Sequence, residues 1–405
     1  MTRYAMLPSP MTGHVNPTLP ITRELVDRGH EVVYDLPAAY RESVEAAGGR
    51  LRPMDLREPD GYRSEPDPVA RFARVPMWLA EEAEHVLPQL WGRFRESPPD
   101  VLVYDMTCVW GRMLARALRF PAAMLVGSYV GNEHFSPMRT RHYAAMKEIL
   151  DQGFAGLAGV IGRLNDAYGL HMRPAELFAR DERLVLVAMP REFHPAGNTF
   201  GDPFRFIGSA VPSGKTAPRT EGAGPRRVYI SPGTVVDLWP DMNETVQLAF
   251  GDGSWQVHLS TGGRPAPHGS PSWLHAAPSL PQWDLLAEAD AFVTHGGTNS
   301  VMEALHFGVP MVVMASAPEH AITADRVEEL GLGVRLAPEE ATAERLRSAV
   351  AEVATSTDVR ASVASMRDSV RAAGGPAAAA SELELLDAGR PPAARTAPAK
   401  SRADR

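Results

Sequence analysis

The chain has 405 residues, 44% of them hydrophobic and 22% charged, which suits two globular domains of roughly 150–200 residues each. Its formal net charge of −8 argues against nucleic acid or an acidic membrane surface as a partner. Cys108 is the only cysteine, so an intramolecular disulfide and a zinc site of several thiolates are excluded. The apolar runs are too short for a signal peptide or a membrane span, so we expect a cytoplasmic protein.

The first half of the chain alternates short apolar runs with amphipathic segments. Strands are predicted at residues 4–7, 30–36, 101–105, 122–126, 184–188 and 204–207, and helices at 19–26, 38–47, 69–94 and 113–118. This spacing indicates parallel βαβ units in a doubly wound sheet, in which ligands bind above the carboxyl ends of the strands. Residues 8–17, predicted as the loop after the first strand, lie at such an end.

A second α/β series follows a break in the pattern. Residues 212–225 are rich in glycine, proline and charge and have Ala217 and Ala223 as their apolar side chains besides proline, which indicates a linker. Beyond it, strands are predicted at 227–231, 255–259, 291–294 and 311–314, and helices at 243–250, 285–289, 299–307, 320–330 and 342–354. We therefore predict an N-terminal domain at 1–211, a linker at 212–226, a C-terminal domain at 227–375, a tail helix at 376–388 and a disordered tail at 389–405. Two such domains place the ligand site in the cleft between them.

Residues 293–303 form a strand-to-helix turn that contains His295 and two glycines. Free backbone N–H groups would open the helix at Gly297, Thr298, Asn299 and Ser300. Such a helix terminus favours an anion, and a diphosphate is the usual one. Glu303 lies one helical turn beyond Asn299 and could accept bonds from sugar hydroxyls. An ordinary glycine-rich turn is the competing interpretation of this stretch.

His14 follows the first strand, next to a glycine that gives access to it, and Asp105 ends another strand of the same sheet. An imidazole in this position suits a general base, because its ordinary pKa lies near neutrality. A carboxylate such as Asp105 could hold the other ring nitrogen and stabilise the imidazolium. A helix-capping or core histidine is the alternative for His14, and a helix cap is the alternative for Asp105.

Three further segments could contribute to a ligand site. Residues 231–234, Ser-Pro-Gly-Thr, resemble a second anion-binding turn, although an ordinary turn is equally consistent with them. Glu319 and His320 begin a predicted helix and would face the cleft, or would simply place an acid at a helix N-terminus. Aromatic and methionine side chains within 128–173 could line a pocket for a flat or apolar acceptor, or belong to the core.

In combination these motifs resemble glycosyltransferase family 1 of the GT-B fold, in particular the bacterial macrolide and aromatic-polyketide glycosyltransferases. The residues that carry the resemblance are Gly13-His14-Val15-Asn16-Pro17, Pro281-Gln282, the block His295-Gly296-Gly297-Thr298-Asn299-Ser300-Val301-Met302-Glu303, and Gly308-Val309-Pro310. The resemblance covers nearly the whole chain up to about Leu386.

The resemblance implies an inverting transfer of a sugar from a nucleoside diphosphate sugar to an acceptor hydroxyl. His14 would deprotonate the acceptor and Asp105 would support the imidazole. The donor-binding residues that it implies are Thr234, Leu280, Gln282, His295, Gly297, Thr298, Asn299, Ser300 and Glu303, with Glu319 and His320 at the sugar. The acceptor-binding residues that it implies are Met77, Trp78, Tyr129 and Phe135. No metal or other cofactor is expected, since a helix terminus and a histidine take the part of Mg²⁺.

The chain departs from the family pattern at three places. Ser279 stands where an aromatic residue usually stacks on the base. Glu319-His320 replaces the common Asp-Gln pair at the sugar, which favours a deoxy or amino sugar over glucose, and hence a dTDP-linked donor over UDP-glucose. Ser231-Pro232-Gly233 replaces Ser-Leu-Gly, a change expected to be local.

The expected partners are a nucleotide-sugar donor and a hydrophobic small-molecule acceptor, with no nucleic acid and no membrane, and the chain is a monomer or homodimer. Transfer to carbon instead of oxygen stays open, as does a UDP-glucose-using glucosyltransferase. A sugar epimerase of this fold would need no His14, and a non-catalytic helper could lose His14 or the His295 block. A dehydrogenase would need Gly-x-Gly-x-x-Gly after the first strand, which residues 8–17 lack.

Overall fold

The computed structural model describes residues 1–57, 73–144, 147–212, 224–233, 242–266 and 269–389. Over these residues the chain forms two open parallel β-sheets with helices packed on them. The predicted class, two doubly wound α/β domains, is therefore confirmed.

The described N-terminal sheet has the strand order β3-β2-β1-β4-β5-β6-β7, and neighbouring strands are parallel. The strands are β1 (Arg3–Leu7), β2 (Glu31–Leu36), β3 (Arg50–Pro53), β4 (Val101–Asp105), β5 (Ala122–Val126), β6 (Leu184–Val187) and β7 (Phe204–Phe206). The helices are α1 (Thr12–Val15), α2 (Thr18–Asp27), α3 (Arg41–Ala46), α4 (Val75–Glu96), α5 (Val109–Leu118), α6 (Arg141–Ala144), α7 (Lys147–Ala155) and α8 (Leu157–Tyr168). Strands β5 and β6 are buried along their whole length, which explains their unbroken apolar sequences.

The described C-terminal sheet has the order β10-β9-β8-β11-β12-β13 and is also parallel. Its strands are β8 (Arg226–Ser231), β9 (Trp255–Ser260), β10 (Leu274–Ala277), β11 (Ala291–Thr294), β12 (Met311–Val313) and β13 (Gly333–Arg335). The helices are α9 (Met242–Phe250), α10 (Gln282–Leu286), α11 (Thr298–Phe307), α12 (Pro318–Glu329), α13 (Ala343–Thr355), α14 (Thr357–Ala372) and α15 (Gly375–Ala388). Helix α10 begins earlier than the predicted 285–289, because Pro281 stands at its N-cap and the apolar signal starts only at Leu285.

The prediction missed the strands β3, β10 and β13. Each lies at or beside the edge of its sheet and has only three or four residues, some of them exposed. In β3, for example, Leu51 is buried between two arginines. So short and polar a segment carries no periodic signal, and the neighbouring strand alone makes it a strand.

Buried apolar side chains connect the two domains. One cluster extends from Leu102 of the N-terminal sheet to Phe292 of the C-terminal sheet. Helix α15 leaves the C-terminal domain and packs on α2, where Ala379 and Leu383 enter the N-terminal core. The N-terminal domain is therefore built from both ends of the described chain.

Two predicted segments fall largely outside the described residues. They are the linker at 212–226, of which 213–223 are not described, and the tail at 389–405 beyond residue 389. Among the helices that the structure does describe, none combines the length and apolar character that crossing a bilayer requires.

Candidate active site

Two side chains at the carboxyl edge of the N-terminal sheet form a hydrogen-bonded pair. Strands β1 and β4 are neighbours, with Leu7 opposite Tyr104, so the segments that follow them emerge side by side. Asp105 is the last residue of β4, and His14 lies on α1, a helical turn inside the segment predicted as a loop. The Nδ1–H group of His14 donates to Oδ2 of Asp105 over 2.8 Å. Nε2 is therefore the ring nitrogen that can face a ligand.

The neighbours of His14 make it more basic. Burial lowers the pKa of His14, but the charge of Asp105, the hydrogen bond to it and the more distant charge of Glu319 outweigh burial, so the pKa lies above its ordinary value. The His14 side chain is 31% exposed and that of Asp105 only 4%, so the carboxylate lies beneath the ring. Despite the burial that opposes it, the interactions with His14 and Thr107 hold the pKa of Asp105 below its ordinary value.

The remaining oxygen of Asp105 is held by a residue that the sequence analysis missed. Thr107 donates its backbone N–H (2.8 Å) and its hydroxyl (2.5 Å) to Oδ1. The Thr107 hydroxyl accepts in turn from Ser9, which lies after β1. A threonine two residues after an aspartate is typical of a local turn closed by the aspartate side chain. This spacing is the sequence signal from which Thr107 could have been predicted.

The turn after β11 contains the second histidine of the site. Strand β11 pairs with β8, with Thr294 opposite Ser231, so the turns after both strands meet. An added Cβ at Gly233 would lie 2.5 Å from Cε1 of His295, and one at Gly297 would lie closer still to Nε2. The space that these two glycines leave open is thus occupied by the His295 ring itself.

The imidazoles of His295 and His320 lie edge to face, with ring centres 4.7 Å apart. Burial and then the His320 ring lower the pKa of His295 to about 3, against a smaller effect of the Ser231 backbone. Burial also lowers the pKa of His320, although Glu319 opposes it. Both rings are therefore neutral near pH 7. Nδ1 of His320 is buried and has no hydrogen-bond partner among the described residues.

Helix α11 presents free backbone N–H groups at its start. The first N–H bond within the helix comes from Val301, which donates to Gly297 over 3.1 Å. The N–H groups of Thr298, Asn299 and Ser300 precede it and have no acceptor among the described residues, so they are available to an anion. The hydroxyl of Thr298 donates to Oε1 of Glu319 over 3.3 Å.

Glu303 lies on α11 and is held from α10. Nε2 of Gln282 donates to Oε2 of Glu303, and the Tyr229 hydroxyl donates to Oε1 of Gln282 over 3.3 Å. Burial raises the pKa of Glu303, although the hydrogen bonds from Gln282 and Trp283 oppose it. Leu280 is half-buried just before α10 and packs against the core. The structure thus brings Gln282 and Glu303 together.

The sites of the two domains meet across the cleft. The Asn299 side chain donates from Nδ2 to the carbonyl of Gly13 over 2.6 Å. Glu319 of the C-terminal domain lies close enough to His14 to raise its pKa. The predicted catalytic pair and the predicted donor residues therefore belong to one site.

The predicted acceptor residues are placed less uniformly. Tyr129 is 1% exposed, and its hydroxyl donates to Thr323 of α12 over 3.1 Å, so it connects the domains and offers no surface to an acceptor. Phe135 is half-buried with its ring near Tyr129. Met77 and Trp78 are half-buried on α4 and pack against the N-terminal core.

Thr234, the predicted donor residue after β8, lies outside the described residues.

Helix α12, which begins with the predicted sugar-binding pair, is contacted by the N-terminal domain at further residues that the sequence did not reveal. Asp325 accepts from Arg141 over 2.9 Å and from His142 over 2.7 Å. Arg326 donates to the carbonyls of Phe193 and Glu192 over 2.9 and 3.1 Å. These pairs are far apart in the chain and carry no motif.

Comparison with known proteins assigns this arrangement to a family. Residues 247–386 match the family model described as "Erythromycin biosynthesis protein CIII-like, C-terminal domain". The chain is 33% identical over 389 residues to NDP-glycosyltransferase YjiC of Bacillus licheniformis, covering 93% of this chain and 96% of the relative. It is also 33% identical over 410 residues to demethyllactenocin mycarosyltransferase of Streptomyces fradiae, covering 95% and 87%.

A solved structure supports the same assignment. The calicheamicin glycosyltransferase CalG4 superimposes with a TM-score of 0.79 at 28% identity, over 97% of this chain and 100% of that chain. The family expected from the motifs is therefore confirmed. The chain belongs to the NDP-sugar-dependent glycosyltransferases of the GT-B fold that include the macrolide and other antibiotic glycosyltransferases.

Proposed function

We propose that this protein is an inverting glycosyltransferase that moves a sugar from a dTDP-deoxysugar to a hydroxyl of a hydrophobic natural product. One observation carries the proposal: His14, paired with Asp105, lies one residue from the Gly13 carbonyl that the donor helix α11 contacts over 2.6 Å. A base and an anion-binding helix terminus then face one cleft, as an in-line displacement requires.

The proposed reaction has three parts. Nε2 of His14 takes the proton of the acceptor hydroxyl, and the imidazolium that forms is stabilised by Asp105 through Nδ1. The acceptor oxygen bonds to the anomeric carbon while the bond from that carbon to the diphosphate oxygen breaks, so the anomeric configuration inverts. The leaving diphosphate takes the electron pair, and the N–H groups of Thr298, Asn299 and Ser300 stabilise its charge.

The choice of donor rests on Glu319 and His320. The Glu319 carboxylate is fixed by the Thr298 hydroxyl, and the buried Nδ1 of His320 can accept a hydrogen bond. These groups differ from the Asp-Gln pair of glucose-using members, which supports a deoxy or amino sugar. We further propose that no metal is required, because the helix terminus and His295 supply the stabilisation of the diphosphate.

The test is a thermal-shift panel with dTDP, UDP and their sugar conjugates, since binding to the native state raises Tm by mass action. We expect dTDP to raise Tm more than UDP at equal concentration, with the chelator EDTA making no difference. A larger shift with UDP and UDP-glucose would favour the glucosyltransferase alternative. No shift with any nucleotide would contradict the proposed function. The anomeric configuration of a product, measured by NMR, tests inversion directly.

A further inference from the structure

The side chain of Asn299 crosses from the donor helix to the catalytic turn. Asn299 is the second residue of α11, and its Nδ2 donates to the carbonyl of Gly13, the residue directly before His14. At 2.6 Å the bond is short for an N–H donor, so the two backbones are held close together at this point.

The Asn299 carboxamide contacts two segments of the N-terminal domain, helix α1 and the loop after β5. An added Cβ at Gly127, which follows β5, would lie 3.6 Å from both Nδ2 and Oδ1. Gly127 and Gly13 follow β5 and β1, so both segments lie at the carboxyl edge of the same sheet. The Asn299 side chain is therefore received by the domain that contains His14, although its backbone belongs to the other domain.

The backbone and the side chain of Asn299 can bind different partners. The backbone N–H is among the free groups that precede Val301 and can face the diphosphate. The Nδ2 group already has its acceptor in Gly13. A side chain that bound only the diphosphate would not need this second contact.

We propose that the Asn299 carboxamide is a positioning group, which sets the distance between the base His14 and the donor held at the start of α11. This inference rests on the proposed function, because that function assigns the base to the N-terminal domain and the donor to the C-terminal domain. Transfer needs the acceptor oxygen about 3–3.5 Å from the anomeric carbon and in line with the leaving group. The Asn299–Gly13 bond supplies the constraint that relates these groups.

The experiment compares the wild-type enzyme with Asn299→Ala and Asn299→Asp. We expect Asn299→Ala to lower kcat about tenfold, the factor of one lost hydrogen bond, while the Kd of dTDP measured by calorimetry changes less than about twofold. Asn299→Asp keeps the size but has no donor for the Gly13 carbonyl, so its kcat should fall at least as far. A tenfold weaker Kd for Asn299→Ala, or wild-type turnover in Asn299→Asp, would overturn the proposal.

Hydrogen exchange provides a readout that needs no substrate. Backbone amides of Thr12–Val15 should exchange several-fold faster in Asn299→Ala, because their turn has lost its contact with α11. Unchanged exchange in that peptide would also overturn the proposal. Failure of the proposed function would appear differently, as a wild-type protein that binds no nucleotide and transfers no sugar.

Ser209→Ala is the matched control. The Ser209 hydroxyl bonds Nδ1 of His306 over 2.9 Å, so it also connects the N-terminal domain to α11, but at the opposite end of the helix. We expect Ser209→Ala to lower Tm and to leave kcat and the exchange of Thr12–Val15 as in the wild type. If it reduced kcat as much as Asn299→Ala, general loosening of the domains would explain both variants, and the positioning role would be wrong.

Discussion

The two halves of the active site each place a histidine in the turn after a central strand, yet with opposite proton affinity. His14 follows β1, and Asp105 beneath it raises its pKa. His295 follows β11, where burial and the His320 ring lower its pKa to about 3. In the proposed mechanism, the first imidazole takes a proton and the second stays neutral beside the diphosphate.

The surroundings of the two rings cause this difference. In the N-terminal sheet the next strand, β4, ends in the carboxylate of Asp105. In the C-terminal sheet the next turn provides Gly233, against which the ring of His295 packs. The pKa of a histidine in such a turn is thus set by the groups around its ring, a carboxylate for His14 and burial with a second imidazole for His295, and the predictions below test this.

The largest effect is expected from the N-terminal pair. His14→Ala should lower kcat by ~10²–10⁴, the usual contribution of a general base, and Asp105→Asn should lower it strongly by removing the stabilisation of the imidazolium. Steady-state kinetics give kcat, and calorimetry should give a nearly unchanged Kd for dTDP. Full activity of His14→Ala would mean that another group or water deprotonates the acceptor.

Next in size is the effect of His295. His295→Ala should lower kcat/KM by ~10²–10³, as expected when one preorganised donor to a developing charge is lost. Because the ring is neutral in the free protein, His295→Gln, which keeps a neutral donor, should recover part of that loss. Equal losses in both variants would indicate that His295 acts as a cation and would remove the contrast with His14.

Glu303→Ala tests whether this face of α11 binds the donor and not the acceptor. We expect the donor KM to rise about tenfold or more, since a hydrogen bond to a charged group is lost, while the acceptor KM changes little. Initial rates with each substrate varied in turn separate the two constants. Equal changes in both would assign Glu303 a structural role.

The pH dependence gives a smaller but directional test. The base must be neutral to act, so kcat/KM should fall as the pH drops through the raised pKa of His14, with the acid limb above about 6.5. Asp105→Asn removes the charge that favours protonation, so the limb of its residual activity should move to lower pH. If the acid limb of kcat/KM stayed at the same pH in Asp105→Asn, the pH dependence would reflect the titration of a group other than His14.

Donor selectivity should change least. Exchanging Glu319 and His320 for Asp and Gln should shift the ratio of kcat/KM for dTDP- and UDP-sugars several-fold towards UDP-glucose, about 1 kcal/mol of differential binding. The double variant and the wild type can be compared in competition with both donors present. An unchanged ratio would show that these residues do not select the sugar.

Much of this site could be predicted because its parts follow strands. His14, Asp105 and the turn at His295 each come after an apolar run, and the edge rule for parallel sheets places them together. Contacts between the domains could not be predicted, because Asn299 and Gly13 are 286 positions apart and both belong to motifs with another apparent purpose. Tyr129 was misplaced for the same reason, since its buried partner Thr323 lies in the other domain.

The return of α15 to the N-terminal domain has a mechanical consequence. Arg28 pairs with Glu384 over 2.8 Å, and Thr2 donates to Asp387 over the same distance, so the end of the described chain is fastened beside its beginning. Helix α15 therefore belongs to the N-terminal domain by its contacts, although the chain before it belongs to the C-terminal domain. Because α15 packs on α2 and these contacts hold its end, any movement between the two domains must be taken up in the chain before α15.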